Sequence, residues 1–256
     1  MRVRWGRVAG AVAALVVFPP AGWVAFTWAT RPEPEPAVRG WPGPDGCVAG
    51  EVLTALPIVH PSHEEDEEGG PVDDAAAAVL LAAARCSGAG AVDGERLFPV
   101  YLAARHGLDA LDRRPPAEAV EGLIAVWALA VDQVAAGPLV HAAVWTAVGT
   151  EAAEALAPLL DDPALDPAAR SRAQGELRSL ARATLDEAQL AAREERATWG
   201  MIGEAFSSPA DWPWLPFAMS YVWEARIGAH PVFADVRADH ARLAATAGSL
   251  ATANQR

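Results

Sequence analysis

PAEAVEGLIAVWALAVDQVAAGPLVHAAVWTAVGT, residues 116–150, decides the fold. Val120, Leu123, Ile124, Trp127, Val131 and Val134 recur at the three- and four-residue spacing of one helix face, not at the alternation of a strand. Pro115 and Pro116 open the segment, where a missing backbone N–H is tolerated, and Glu118 meets the positive end of the helix dipole. Gly137-Pro138 ends this helix and begins another that reaches about Leu160. Within residues 122–148 only Asp132, Gln133, His141 and Thr146 interrupt an apolar run. The Asp-Gln pair sits in its middle and Gly137-Pro138 splits it into pieces too short to span a bilayer, so a buried helical hairpin is expected.

The same period continues on both sides. Asp73 or Asp74 can cap a helix through AAAAVLLAAARC that ends at Gly88, and a second helix is expected from Gly94 to His106, stopping at Gly107. After a break at Asp161-Asp162-Pro163, Asp166 caps the longest helix, with Pro167 at its first position and Phe206 as its farthest reach. Its apolar stripe is Ala173, Leu177, Leu180, Thr184, Ala188 and Ala191; its polar back carries Arg182 and Asp186 one turn apart. A last helix spans about Val232 to Leu250. The fold class read from this is all-α: an irregular bundle of five to six antiparallel helices with short Pro/Gly breaks, and no internal repeat.

Composition narrows the functions. Just over half of the 256 residues are apolar (52%), enough for a real core. All 20 basic residues are arginine, which excludes a Schiff-base lysine and a phosphate-binding loop of the Walker type. Arg2, Arg4 and Arg7 precede residue 8 and no acid precedes Glu33, so residues 31–256 hold 17 arginines against 33 acids. A body that negative repels nucleic-acid phosphate, and no nucleic-acid partner is expected.

Residues 8–29, VAGAVAALVVFPPAGWVAFTWA, carry no charge. As a helix they would measure roughly 33 Å, enough for a hydrocarbon layer of roughly 30 Å. Trp5 and Trp28 flank them, and the leading arginines place the N-terminus in the cytoplasm and the rest of the chain outside. Two readings share this topology. One is an uncleaved single-pass anchor with Pro19-Pro20 as a kink, whose partner is the lipid bilayer; the other is a cleaved signal peptide, for which a good A-x-A site is missing. The expected organisation is an anchor over residues 1–30, a Pro/Glu-rich linker over 31–46 and an extracytoplasmic helical domain over 47–256. Alternate prolines make the linker a semi-rigid polyproline stalk.

Cys47 and Cys86 are the only cysteines. In an oxidising compartment they are a candidate disulfide, closing a loop worth about 4 kcal/mol in chain entropy; two buried thiols are the other reading. His60 to Gly70, HPSHEEDEEGG, reads as a solvated acidic loop, since its spacing matches no metal motif.

Three groups are candidate sites. Asp132 and His141 flank the hairpin turn in apolar surroundings, as an acid/base pair or as core polar groups that satisfy each other. His230, Asp235, Asp239 and His240 cluster near the C-terminus as metal ligands or as an exposed charged face. In PADWPWLPFAMSYVW, residues 209–223, Trp212, Trp214, Phe217, Tyr221 and Trp223 crowd an irregular apolar segment, which is either a cover for the bundle or an exposed partner or membrane surface. Glu194-Glu195-Arg196 reads as a salt-bridged solvent face.

The long helix with its Glu-Glu-Arg end, following an apolar hairpin and an N-terminal anchor, resembles the layout of uncharacterised bacterial membrane-anchored all-helical proteins over residues 94–206. That resemblance implies no activity, and no cofactor is implied by the residues. The expectation is an interaction or scaffold module of a bacterial envelope with an envelope protein partner. The alternative is an envelope hydrolase or metal-binding protein using Asp132/His141 or the C-terminal His/Asp group.

Overall fold

A computed structural model describes residues 22–29, 47–57, 71–86, 90–92, 94–134, 136–206, 214–229 and 231–252. Among them every regular element is helical: α1 (22–29), α2 (Ala49–Leu53), α3 (Pro71–Ala84), α4 (Leu97–Asp112), α5 (Pro116–Val134), α6 (Leu139–Asp161), α7 (Pro167–Leu180), α8 (Glu187–Ala205), α9 (Leu215–Arg226) and α10 (Pro231–Thr252), with a 3-10 turn at Gly94–Arg96. The all-α architecture is therefore shown. No helix among the described residues is long and apolar enough to cross a membrane, so the N-terminal transmembrane helix is not among the elements seen. Residues 8–21 of the apolar stretch, the linker over 31–46 and the acidic loop over 60–70 lie outside the described residues.

The chain divides into two compact units. The large unit holds α2 to α7, the start of α8 through Leu190, and α10; the small unit holds α1, α8 from Ala191, and α9. In the large unit the α5–α6 hairpin is central: α4 and α7 pack on α5, α4 and α10 on α6, and α10 also lies on α7. Trp127 of α5 and Trp145 of α6 are fully buried. Each removes on the order of 200 Å² from water, about 5 kcal/mol of transfer free energy at 25 cal/mol per Å².

Most of the remaining core is alanine and leucine, which lets backbones come close. Gly107 is the clearest case. Glycine at this point suggests a helix stop, but α4 runs through it to Asp112. A Cβ at Gly107 would meet Leu80 Cδ1 at 2.7 Å and the backbone of Ala76 and Ala77 at 3.1 Å, so the missing side chain is what lets α3 lie against α4. The residue is a packing contact, not a terminator.

Two further expectations are corrected. The helix beginning at Pro167 stops at Leu180, and Asp186 caps a separate α8 by accepting the Gln189 N–H at 2.9 Å. Arg182 instead donates to the Arg178 carbonyl at 3.0 Å, so the Arg182/Asp186 pair is not made. A short polar side chain that can bond its own backbone competes with helix continuation, and here it wins. Asp166 does cap α7, accepting the Ala169 N–H at 3.1 Å. Asp73, expected as a helix cap, is instead buried and holds α3 to α4: its carboxylate accepts from Arg113 Nη2 at 2.7 Å and faces His106 Nδ1 at 3.1 Å.

Cys47, just before α2, and Cys86, just after α3, are joined in a disulfide with Cα atoms 5.0 Å apart. It clips α2 onto α3, with which it packs.

Two measurements check this packing. Gly107→Ala lowers unfolding free energy by about 1–3 kcal/mol in denaturant titration, while Gly175→Ala, at an open mid-helix position of α7, raises it by about 0.5–1 kcal/mol. Cys47→Ser with Cys86→Ser lowers the melting temperature, and adding reductant to the double variant changes it no further.

Candidate interaction surface

The small unit is built around aromatic rings. In α1 the faces differ only in what they touch, not in polarity. Trp23 and Val24 turn toward a core made by Ile202 of α8 with Met219 and Val222 of α9, flanked by Trp199, Phe206, Leu215 and Ala218. Trp23 meets Trp223 edge-on, with ring centres 5.1 Å apart, and Trp28 meets Trp199 edge-on at 5.4 Å. Such contacts each add about 0.5–1.5 kcal/mol beyond area burial. Thr27, the one polar side chain of α1, is buried and donates its hydroxyl to the Trp23 carbonyl at 2.8 Å. The exposed positions of the same helix are Gly22, Ala25, Phe26, Trp28 and Ala29. A helix at a water surface normally turns polar residues outward; this one has none to turn.

An ion pair lies inside the unit. Glu195, expected on a solvent face, is buried, and both Arg226 Nε, at 2.8 Å, and Arg226 Nη2 donate to its Oε1. The Arg226 guanidinium also lies over the Trp223 ring, 5.7 Å from its centre. This pair ties α8 to α9.

The aromatic segment is helical rather than irregular from Leu215 onward, because Pro216 falls in the first turn, where its ring fits. Trp214, Phe217 and Tyr221 follow the i, i+3, i+7 spacing and form one exposed stripe, 69%, 66% and 47% accessible. Phe217 and Tyr221 stack edge to face at 5.6 Å. Trp223 belongs to the ring contacts within the unit instead, and Trp212 lies outside the described residues. Beside the stripe a groove of about 270 Å³ runs between α8 and α9, walled by Met201, Ile202, Ala205, Ala218 and Tyr221 among others. Of the nine large apolar side chains exposed among the described residues, seven lie in this unit: Phe26, Trp28, Met201, Trp214, Phe217, Tyr221 and Ile227.

The other candidate residues are placed as follows. His141 is buried at the start of α6, and its Nε2 accepts the Val92 N–H at 3.3 Å. That fixes the neutral ring with its proton on Nδ1 and ties the strand of chain before α4 to the hairpin. A Cβ on Gly137 would lie 2.6 Å from the His141 ring, so the turn needs glycine there. Asp132 is exposed, and desolvation by the apolar surroundings of its helix face raises its pKa from 3.8. Near the C-terminus Asp235 is exposed, Asp239 pairs with Arg242 at 2.8 Å, and His240 is buried in α10, where desolvation lowers its pKa. His230 lies outside the described residues, among which no three His, Cys, Asp or Glu residues gather as a metal site.

The Asp73–His106–Arg113 network escaped sequence reading because its members stand 33 and 40 residues apart and no local pattern joins them. Glu195 and Arg226 escaped for the same reason, 31 residues apart.

The partial desolvation of Asp132 gives a pH-dependent prediction. A folded-state pKa raised above the unfolded value means stability is full below pH 3.8 and is lost as pH rises through the higher folded pKa. Asp132→Asn therefore melts higher than the parent at neutral pH, and the gap closes on acidification in thermal melts from pH 7 to 3. No family model matches the chain, and no curated protein or solved structure shows significant similarity to it.

Proposed function

We propose that the chain is a membrane-tethered helical module that holds an acidic, disulfide-braced bundle outside the cytoplasmic membrane of a bacterium, as an interaction or scaffold surface for an envelope protein. The observation that carries the reading is α1. It is apolar on its exposed face as well as on its packed face, and it continues the uncharged stretch from residue 8. A helix apolar all round belongs in a core or in lipid.

Three features support the orientation and the role. The arginines at positions 2, 4 and 7 favour a cytoplasmic N-terminus. The Cys47–Cys86 bridge suits an oxidising compartment. In the large unit Asp73 and His141 are held in bonds that tie separate segments together, which suits a rigid scaffold.

The test is a fusion of a reporter enzyme that works only after export, joined behind residue 256, with a matching reporter that works only in the cytoplasm. Activity of the first, in a membrane fraction that resists alkaline carbonate, is the expected result. Activity of the second alone overturns the topology. Activity of the first in a soluble fraction, with the mass of a chain cut after the apolar stretch, overturns the tether in favour of secretion.

A further inference from the structure

Resting on the tethered reading above, we propose that the small unit is seated in the outer membrane–water interface of the bilayer that holds the anchor, with Phe26, Trp214, Phe217 and Tyr221 among the lipid headgroups. The occupant of this aromatic face is lipid, not a protein partner.

Length argues for it first. Residues 8–21 would span roughly 21 Å as a helix, short of a hydrocarbon layer of roughly 30 Å. The eight residues of α1 supply roughly 12 Å more, so α1 lies at the depth of the outer leaflet. Its inner face is held by Trp199 of α8 and Trp223 of α9. Wherever α1 lies, these two helices lie beside it.

Charge argues for it second. With Arg2, Arg4 and Arg7 on the cytoplasmic side, residues 22–35 and 191–230 together hold seven acids and four arginines, whereas residues 36–190 and 231–256 hold 26 acids and 13 arginines. The stretches that contribute to the small unit on the outer side thus carry only a small negative excess, and an anionic headgroup layer repels them far less than it repels the remainder. Surface chemistry is the third argument. Trp and Tyr prefer the interface, where an apolar ring and a polar edge are both accommodated. The stripe on α9 puts three rings within one narrow arc of the helix, the pattern of a segment lying in the membrane plane. The groove beside it offers acyl chains an apolar recess walled by Met201, Ile202 and Ala218.

The full-length chain, reconstituted in vesicles of phosphatidylcholine and phosphatidylglycerol, tests this. Cys47 and Cys86 are bridged, so one introduced cysteine carries an environment-sensitive fluorophore: Phe217→Cys or Tyr221→Cys on the stripe, Ser171→Cys on exposed α7, and Val16→Cys in the apolar stretch. The expected result is blue-shifted emission at 217 and 221, lost for the most part to headgroup-attached nitroxide lipid and shielded from aqueous iodide relative to 171. Iodide access at 217 and 221 equal to that at 171 overturns the proposal. Shielding from iodide and from lipid nitroxide alike also overturns it, in favour of a protein cover such as a second copy or residues 8–21. A label at 16 that acyl-chain nitroxide fails to quench removes the tether itself, and the seat with it; quenching at 16 without quenching at 217 and 221 removes the seat alone.

Discussion

Close approach of helix backbones is the constraint on which the large unit depends. An alanine side chain buries little area, so a bundle rich in alanine gains little from each residue and must gain from dispersion between well-fitted surfaces. Gly107 against Ala76 and Ala77, and the fully buried alanines of α3, α5 and α6, are where that fit is made. Trp127 and Trp145 fill the centre of the hairpin with volume the alanines lack. The disulfide adds an entropic restraint at the edge, where α2 is only five residues long and has little surface of its own to bury.

Polar groups inside this packing act as fasteners. Asp73 joins α3 to α4 through Arg113 and His106, and Glu195 joins α8 to α9 through Arg226. Each is a charged group whose burial is offset by a specific partner, and removal of one partner would leave the other exposed to a large desolvation penalty. His141 does the same with an uncharged ring by accepting a backbone N–H. Asp132 differs: it is exposed, and desolvation by its surroundings raises its pKa.

The two units contrast in surface chemistry. One collects most of the exposed aromatic and apolar side chains in a part of the chain with little net charge; the other carries most of the acidic excess on a body whose rings are mainly buried. In the proposed topology that contrast has a purpose. Apolar rings face lipid, and acidic side chains keep the body solvated and available to a partner.

The sequence by itself determined helices, their main breaks and the hairpin, because three- and four-residue periodicity, Pro116, Gly137-Pro138 and the Asp166 cap act locally. Local rules also misjudged two places. Gly107 looked like a stop because its role lies in a neighbouring helix, and Asp186 looked like an ion-pair partner because its capping of α8 required the chain to break first. Candidate site residues were legible only as residue types. Whether Trp223 turns inward while Trp214, Phe217 and Tyr221 turn outward, and whether Glu195 is buried, depend on which helices meet across distances the pattern does not encode. Tertiary structure decided those points because burial and pairing are properties of surfaces in contact, not of neighbours in the chain.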